Sequence, residues 1–124
     1  MKYNKISLLS FLMLSACTLL TQSAYAAWTT INNQTDGNIR AVIKYLGEKP
    51  HFCRPDDVVV EKNQTKKINT GFCCFTKITV TKTSGSNKGV SHVQERTSCP
   101  NPPVSVSVTV KDVSAGLSLL VKNE

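Results

Sequence analysis

The sequence has little from which a helical protein or a metal centre could be built. Its 124 residues include only two His and one Trp, and no Cys-x-x-Cys pair. No 11-residue window carries an apolar stripe at the 3.6-residue period of a helix, which excludes a helical bundle. The two His stand at no metal-ligand spacing from the cysteines. We therefore expect neither a metal nor a cofactor.

Motifs of the common enzyme classes are missing as well. There is no Gly-x-Ser-x-Gly turn for a serine nucleophile and no glycine-rich loop that would hold phosphate at the start of a helix. Asp56 and Asp57 are adjacent in sequence, whereas the two carboxyls of a glycosidase face each other about 5–10 Å apart across a bond. We expect a protein that is not an enzyme and has no catalytic residues.

The N-terminus contains the three parts of an export signal. A basic head at 1–5 is followed by an apolar run from Ile6 to Leu20 and by Ala24-Tyr25-Ala26. This order is typical of a secretory signal peptide and predicts cleavage between Ala26 and Ala27. The apolar run has about 15 residues, fewer than the roughly 20 that a membrane-spanning helix needs.

A second processing route is open. Leu14-Ser15-Ala16-Cys17 resembles a bacterial lipobox, in which Cys17 would be lipidated after removal of 1–16. The apolar run continues past Cys17 and a complete Ala-x-Ala site follows, so we favour cleavage after Ala26. The first route predicts a bacterial periplasmic or secreted protein, and the second an outer-membrane lipoprotein.

The predicted mature chain is small and basic. Removing the first 26 of 124 residues leaves 98, a single domain over 27–124. Loss of Lys2 and Lys5 lowers the formal net charge from +7 to +5. A chain of this length buries only about 60–65% of its unfolded surface, so its small core gives modest stability without further crosslinks.

The cysteines of the mature chain can provide such crosslinks. The mature chain contains Cys53, Cys73, Cys74 and Cys99, and an even count in an exported domain predicts two disulfides. Neighbouring side chains of a strand point to opposite faces. We therefore expect the adjacent cysteines not to bond to each other, but one to pair with Cys53 and the other with Cys99. For each disulfide we expect about 3 kcal/mol of stabilisation of the folded state, because it closes a loop of the unfolded chain.

Short-period alternation of apolar and polar residues predicts seven or eight strands. The clearest case is the run from Val104 to Lys111, in which every second residue is Val. Another runs from Asn38 to Leu46, a third from Phe72 to Lys82, and a polar edge strand from Val90 to Thr97. Turn residues separate these segments, a pattern typical of an all-β antiparallel sandwich or small barrel.

The segment from His51 to Asp57 is the best candidate for a recognition loop. His51, Phe52 and Arg54 offer a titratable group, an aromatic ring and a cation, and Cys53 would stiffen the loop. Binding residues often lie on loops held by a rigid scaffold. The alternative interpretation is a connection whose Phe52 packs into the core beside the disulfide.

Cations on the predicted outer faces are the other candidate. They would form one basic patch if their strands are neighbours: Arg40, Lys44, Lys77 and Lys111. Such a patch attracts an anionic lipid, an acidic glycan or an acidic protein, or it only keeps the domain soluble. Nucleic acid is not expected, because no aromatic-and-arginine platform is present. Membrane contact is expected only if Cys17 is lipidated.

The sequence thus predicts a non-enzymatic exported binding module with a basic face for an anionic envelope or extracellular partner. One alternative is a small secreted inhibitor or toxin-like protein that inserts its stapled loop into a target. Another is an envelope lipoprotein or structural subunit.

Overall fold

The computed structural model describes residues 27–47, 52–96 and 104–124, which form eight strands and no helix. The strands are β1 (Ala27–Gln34), β2 (Ile39–Tyr45), β3 (Asp56–Val60), β4 (Thr65–Gly71), β5 (Phe75–Lys82), β6 (Ser91–Glu95), β7 (Val106–Val113) and β8 (Gly116–Asn123). The predicted all-β class is confirmed. In these ranges no helix could cross a membrane. The predicted signal peptide and Cys17 lie outside the described residues.

Two four-stranded sheets make up the fold. Sheet A has the order β4-β1-β7-β8, and sheet B has the order β3-β2-β5-β6. Every neighbouring pair is antiparallel except β1 with β7, which is parallel. The predicted edge strand is β6, which lies at one margin of sheet B.

A single core lies between the sheets. Val106, Val108 and Val110 of β7 face Ile39 and Ile43 of β2, and none of these five is more than 2% exposed. Alternation along both strands predicted this burial correctly, because residues two apart in a strand share a face.

Strand β5 departs from simple alternation. It begins at Phe75, later than predicted, so Cys73 and Cys74 lie in the turn before it. Tyr45 pairs with Phe75 while Lys44 pairs with Lys77, which leaves Thr76 as an extra residue in a bulge. The bulge turns both Phe75 and Ile78 inward, although an unbroken strand would place them on opposite faces.

The two ends of the sandwich differ. At one end, short connections join β1 to β2, β3 to β4, β5 to β6 and β7 to β8; we call it the hairpin end. At the other end β1 begins, and the chain passes from β2 to β3, from β4 to β5 and from β6 to β7. This second end, which we call the disulfide end, holds the segments with cysteines.

The disulfide of the described residues joins Cys53 to Cys73, with 5.4 Å between their Cα atoms. It links the β2–β3 connection to the β4–β5 connection, and it confirms that Cys73 pairs with Cys53 rather than with its neighbour. Cys74 is also disulfide-bonded. Its expected partner, Cys99, lies outside the described residues, so that pairing stays a prediction.

We expect the double variant Cys53→Ala/Cys73→Ala to lose about 3 kcal/mol of unfolding free energy. The disulfide joins residues 20 apart, and opening a loop of that size restores conformational entropy to the unfolded chain. Urea denaturation of both proteins measures the difference. A loss below about 1 kcal/mol would show that pairing of β2 with β3 and β5 already holds these connections.

Candidate functional site

Large apolar side chains project from the disulfide end. The exposed fractions are 63% for Leu46, 70% for Phe52 and 72% for Phe72. We call these three residues the apolar tip. Exposed apolar residues scattered singly are ordinary, whereas a cluster of large ones marks an interaction surface.

The disulfide holds the members of the apolar tip together. Phe52 and Phe72 each precede one of its two cysteines, so their Cα atoms are at most about 13 Å apart. Leu46 lies beside the same turn, because its backbone N–H donates to the carbonyl of Cys74 at 2.9 Å. The apolar tip therefore comes from two connections that a covalent bond fixes to each other.

The exposure of Phe52 decides between the two interpretations of its loop. The ring does not pack into the core beside the disulfide, so that alternative is wrong. Cys53, the next residue, has a left-handed backbone with φ 51°, a conformation that non-glycine residues seldom adopt. His51, the third residue proposed for this loop, lies outside the described residues.

Cations lie next to the apolar tip. Lys44 of β2 and Lys77 of β5 are directly opposite each other, and Lys44 is two residues from Leu46. Arg54 is exposed and follows Cys53. Like charges directly opposite in a sheet are destabilising. Glu95 of β6, opposite Lys77 on its other side, offsets part of this repulsion.

The other two predicted cations do not join this group. The guanidinium of Arg40 is committed to Asp57, to which its Nε donates at 2.8 Å; this hydrogen bond lowers the pKa of the Asp57 carboxyl. Lys111 belongs to β7 of sheet A, opposite Gln34 and Ser118. The predicted single basic patch is therefore divided, because the strands that carry it lie in different sheets.

The adjacent acids bind two different partners within the domain. Both belong to β3, although the sequence had indicated a loop. Asp56 accepts a hydrogen bond from the hydroxyl of Tyr45 at 2.5 Å, while Asp57 binds Arg40. Burial, together with the bond to Asp56, raises the pKa of Tyr45.

Lys82, at the hairpin end, is a buried cation that sequence reasoning missed. Its side chain is 0% exposed, and its ammonium group donates to Asp36, to Asp112 at 2.8 Å and to Ser86 at 3.3 Å. Burial opposes the charge, but the hydrogen bonds to Asp112 and Asp36 outweigh it and raise the pKa of Lys82. The signal was present: Ile78, Val80 and Lys82 follow the two-residue period of the inner face.

A buried amide completes the hairpin end. The side-chain N–H groups of Asn33, which is 0% exposed, donate to the carbonyls of Gly37 at 2.9 Å and Val60 at 3.0 Å. Gly37 cannot carry a side chain, since a Cβ there would lie 2.0 Å from the carbonyl oxygen of Ser84. The buried polar groups of this end are thus satisfied by hydrogen bonds within the domain.

The cavities of the described residues are small or lie elsewhere. The cavity behind the disulfide end, lined by Cys73, Cys74 and Phe75 among others, has about 10 Å³, which is room for no more than one water. A larger groove of about 240 Å³ runs between the β3 and β4 edges near Glu61 and Gln64, toward the hairpin end.

Comparison with known proteins supports the fold alone. No protein-family model matches the chain, and no curated protein sequence does. A solved structure described as "NMR structure of the protein from Eubacterium rectale" is similar in fold, with a TM-score of 0.52. It is 14% identical in sequence, and the alignment covers 82% of this chain and 92% of that chain.

Proposed function

We propose that the protein is a non-enzymatic exported binding module that holds an anionic partner at its disulfide end. One observation carries the proposal: three side chains that are 63–72% exposed project beside the cations Lys44, Lys77 and Arg54. The apolar members provide the area that becomes buried on binding. The cations attract and orient an anionic partner.

Rigidity favours binding at this end. Ordering a flexible loop on binding costs free energy that a preorganised loop does not spend. The Cys53–Cys73 bond holds two connections together before any partner arrives. The unfavourable Lys44–Lys77 pairing also supports a binding role, because folding alone gives no reason to place two lysines opposite each other.

We expect Lys44→Gln/Lys77→Gln to weaken sedimentation of the mature protein with bacterial envelopes about tenfold. Each surface cation contributes roughly 0.7 kcal/mol to a contact with an anion, and two together correspond to a factor of about ten. The matched control is Lys66→Gln/Lys111→Gln, which makes the same change in net charge at two exposed lysines of sheet A. Equal losses in both variants would show that net charge rather than this site governs binding.

A second candidate is a small secreted inhibitor or toxin-like protein, favoured by the exposure of Phe52 on a stapled loop. It requires a stable one-to-one complex with a target protein, detectable by size-exclusion chromatography. Sedimentation with envelopes from which protein has been digested also tests the inhibitor, since binding that survives digestion would exclude a protein target.

Export and the second disulfide are part of the proposal and have their own test. We expect the intact mass of the mature protein from a bacterial host to correspond to a chain that begins at Ala27. Alkylation should label four cysteines only after reduction, in agreement with bonds Cys53–Cys73 and Cys74–Cys99. A mass that begins at Cys17 with added lipid would instead establish the lipoprotein alternative.

A further inference from the structure

We infer that the partner at the disulfide end is the surface of an anionic lipid bilayer, into which the apolar tip inserts. This inference rests on the proposed function, since it names the partner of the same site. It departs from the expectation that membrane contact requires lipidation of Cys17.

The position of the apolar tip fits a bilayer. Its three side chains lie in the connections at one end of the sandwich and are all more than 60% exposed. A fluid interface accepts Phe and Leu side chains without shaped pockets, whereas a protein partner must match them in shape. An acidic glycan would leave Leu46 without a role, because an aliphatic side chain offers no ring on which a sugar stacks.

The charge around the apolar tip fits anionic lipid. Lys44, Lys77 and Arg54 would reach phosphate groups while the apolar side chains enter the interface, the arrangement seen in segments that bind anionic membranes. The described acids at the same end are Asp56, which accepts a hydrogen bond from the hydroxyl of Tyr45, Glu95, which lies opposite Lys77, and Glu124 after β8. Arg96, which follows β6, is a further cation at this end.

The lipoprotein alternative would place the domain in the same orientation. Ala27 pairs with Gly71, the residue before Phe72. A membrane anchor N-terminal to Ala27, including a lipid on Cys17, would therefore join the domain at the disulfide end. Insertion of the apolar tip and attachment of such an anchor would need the same face of the domain toward the bilayer.

The test is sedimentation of the mature protein, purified from the host after export, with vesicles of phosphatidylcholine with and without phosphatidylglycerol. We expect at least tenfold stronger binding when phosphatidylglycerol is present, and weaker binding at high salt. Phe52→Ser/Phe72→Ser should lower binding by at least about tenfold, because two buried rings are lost. The matched control is Val59→Ser/Val93→Ser, two valines that are 55% and 47% exposed on β3 and β6.

Insertion has a separate readout in the variant Phe52→Trp. With phosphatidylglycerol vesicles, its emission should shift to the blue and become protected from acrylamide, in comparison with unmodified protein, whose Trp28 lies in β1. Binding without either change would overturn insertion. Equal thermal unfolding of the Ser variants and the unmodified protein establishes that binding, not folding, has changed.

The outcomes separate the two proposals. Suppose that the protein does not bind vesicles, but Phe52→Ser/Phe72→Ser still weakens its sedimentation with bacterial envelopes. The lipid inference then fails, and the proposed binding site stands. If these substitutions change neither measurement, both proposals fail. Vesicle binding that Val59→Ser/Val93→Ser reduces as strongly would also overturn the assignment to the apolar tip.

Discussion

Replacement of Val108 by Lys should prevent the domain from folding. Val108 is 0% exposed at the centre of sheet A, where it pairs with Ile31 on one side and Val121 on the other. A lysine there would bury an ammonium group among aliphatic side chains with no acceptor. We expect a loss of at least about 5 kcal/mol, comparable to the whole stability of a small domain, which is about 5–15 kcal/mol.

The neighbouring residue provides the control for Val108→Lys. Thr109 lies on the outer face of the same strand, between Asn32 and Leu120, so Thr109→Lys should fold with a change below about 1 kcal/mol. Circular dichroism and urea denaturation of the two variants measure the contrast. A soluble Val108→Lys protein with a cooperative transition would contradict the facing of β7.

Replacement of Lys82 by Met should cost about 2 kcal/mol. The ammonium group of Lys82 joins Asp36, which follows β1, to Asp112 of β7, and thereby ties β5 of sheet B to sheet A. Its removal leaves two carboxylates close together without their cation. Breaking a fully buried ion pair from one side costs about 3–5 kcal/mol, and the loss is smaller here because the side chains of Asp36 and Asp112 are 48% and 28% exposed and water can solvate them. Lys122→Met, at an exposed lysine of β8, is the matched control and should change stability by less than about 0.5 kcal/mol.

The pH dependence distinguishes this loss from lost packing. The hydrogen bonds from Lys82 and Ser86 lower the pKa of Asp36 from 3.8 to about 2. A lowered folded-state pKa contributes stability that is complete above about pH 4 and disappears as pH falls through about 2. The stability difference between the unmodified protein and Lys82→Met should therefore shrink over this interval. A difference that is constant from pH 6 to pH 2.5 would attribute the loss to packing of the methylenes.

Local patterns predicted much of the fold. Alternation placed Ile39, Ile43, Val106, Val108 and Val110 in the core, and the assumed strand geometry argued against a bond between Cys73 and Cys74. The core prediction succeeds because it depends on residues within one strand, where side chains alternate between two faces. The cysteine prediction was correct although its premise was not, because Cys73 and Cys74 lie in the turn before β5. Alternation failed at the bulge at Thr76, because an extra residue in one strand can be recognised only from its pairing with the neighbouring strand.

The candidate site was predicted only in part. The sequence directed attention to Phe52, Arg54, Lys44 and Lys77, and these residues lie at one end of the sandwich. Phe72 was missed because it was assigned to a strand, whereas it lies in the turn before β5 and is 72% exposed. The disulfide between Cys53 and Cys73 holds the ring of Phe72 at the same end of the sandwich as Phe52.

What the sequence alone determined is the all-β class, the approximate positions of the strands and most of the apolar residues that face the core. Which strands are neighbours was decided by the tertiary structure, because pairing depends on contacts between distant segments that no local period records. That order separates Lys111 from Lys44 and Lys77, which lie in the other sheet. It also makes Lys82 a buried link rather than a surface charge, since only packing of the two sheets brings Asp36 and Asp112 to its ammonium group.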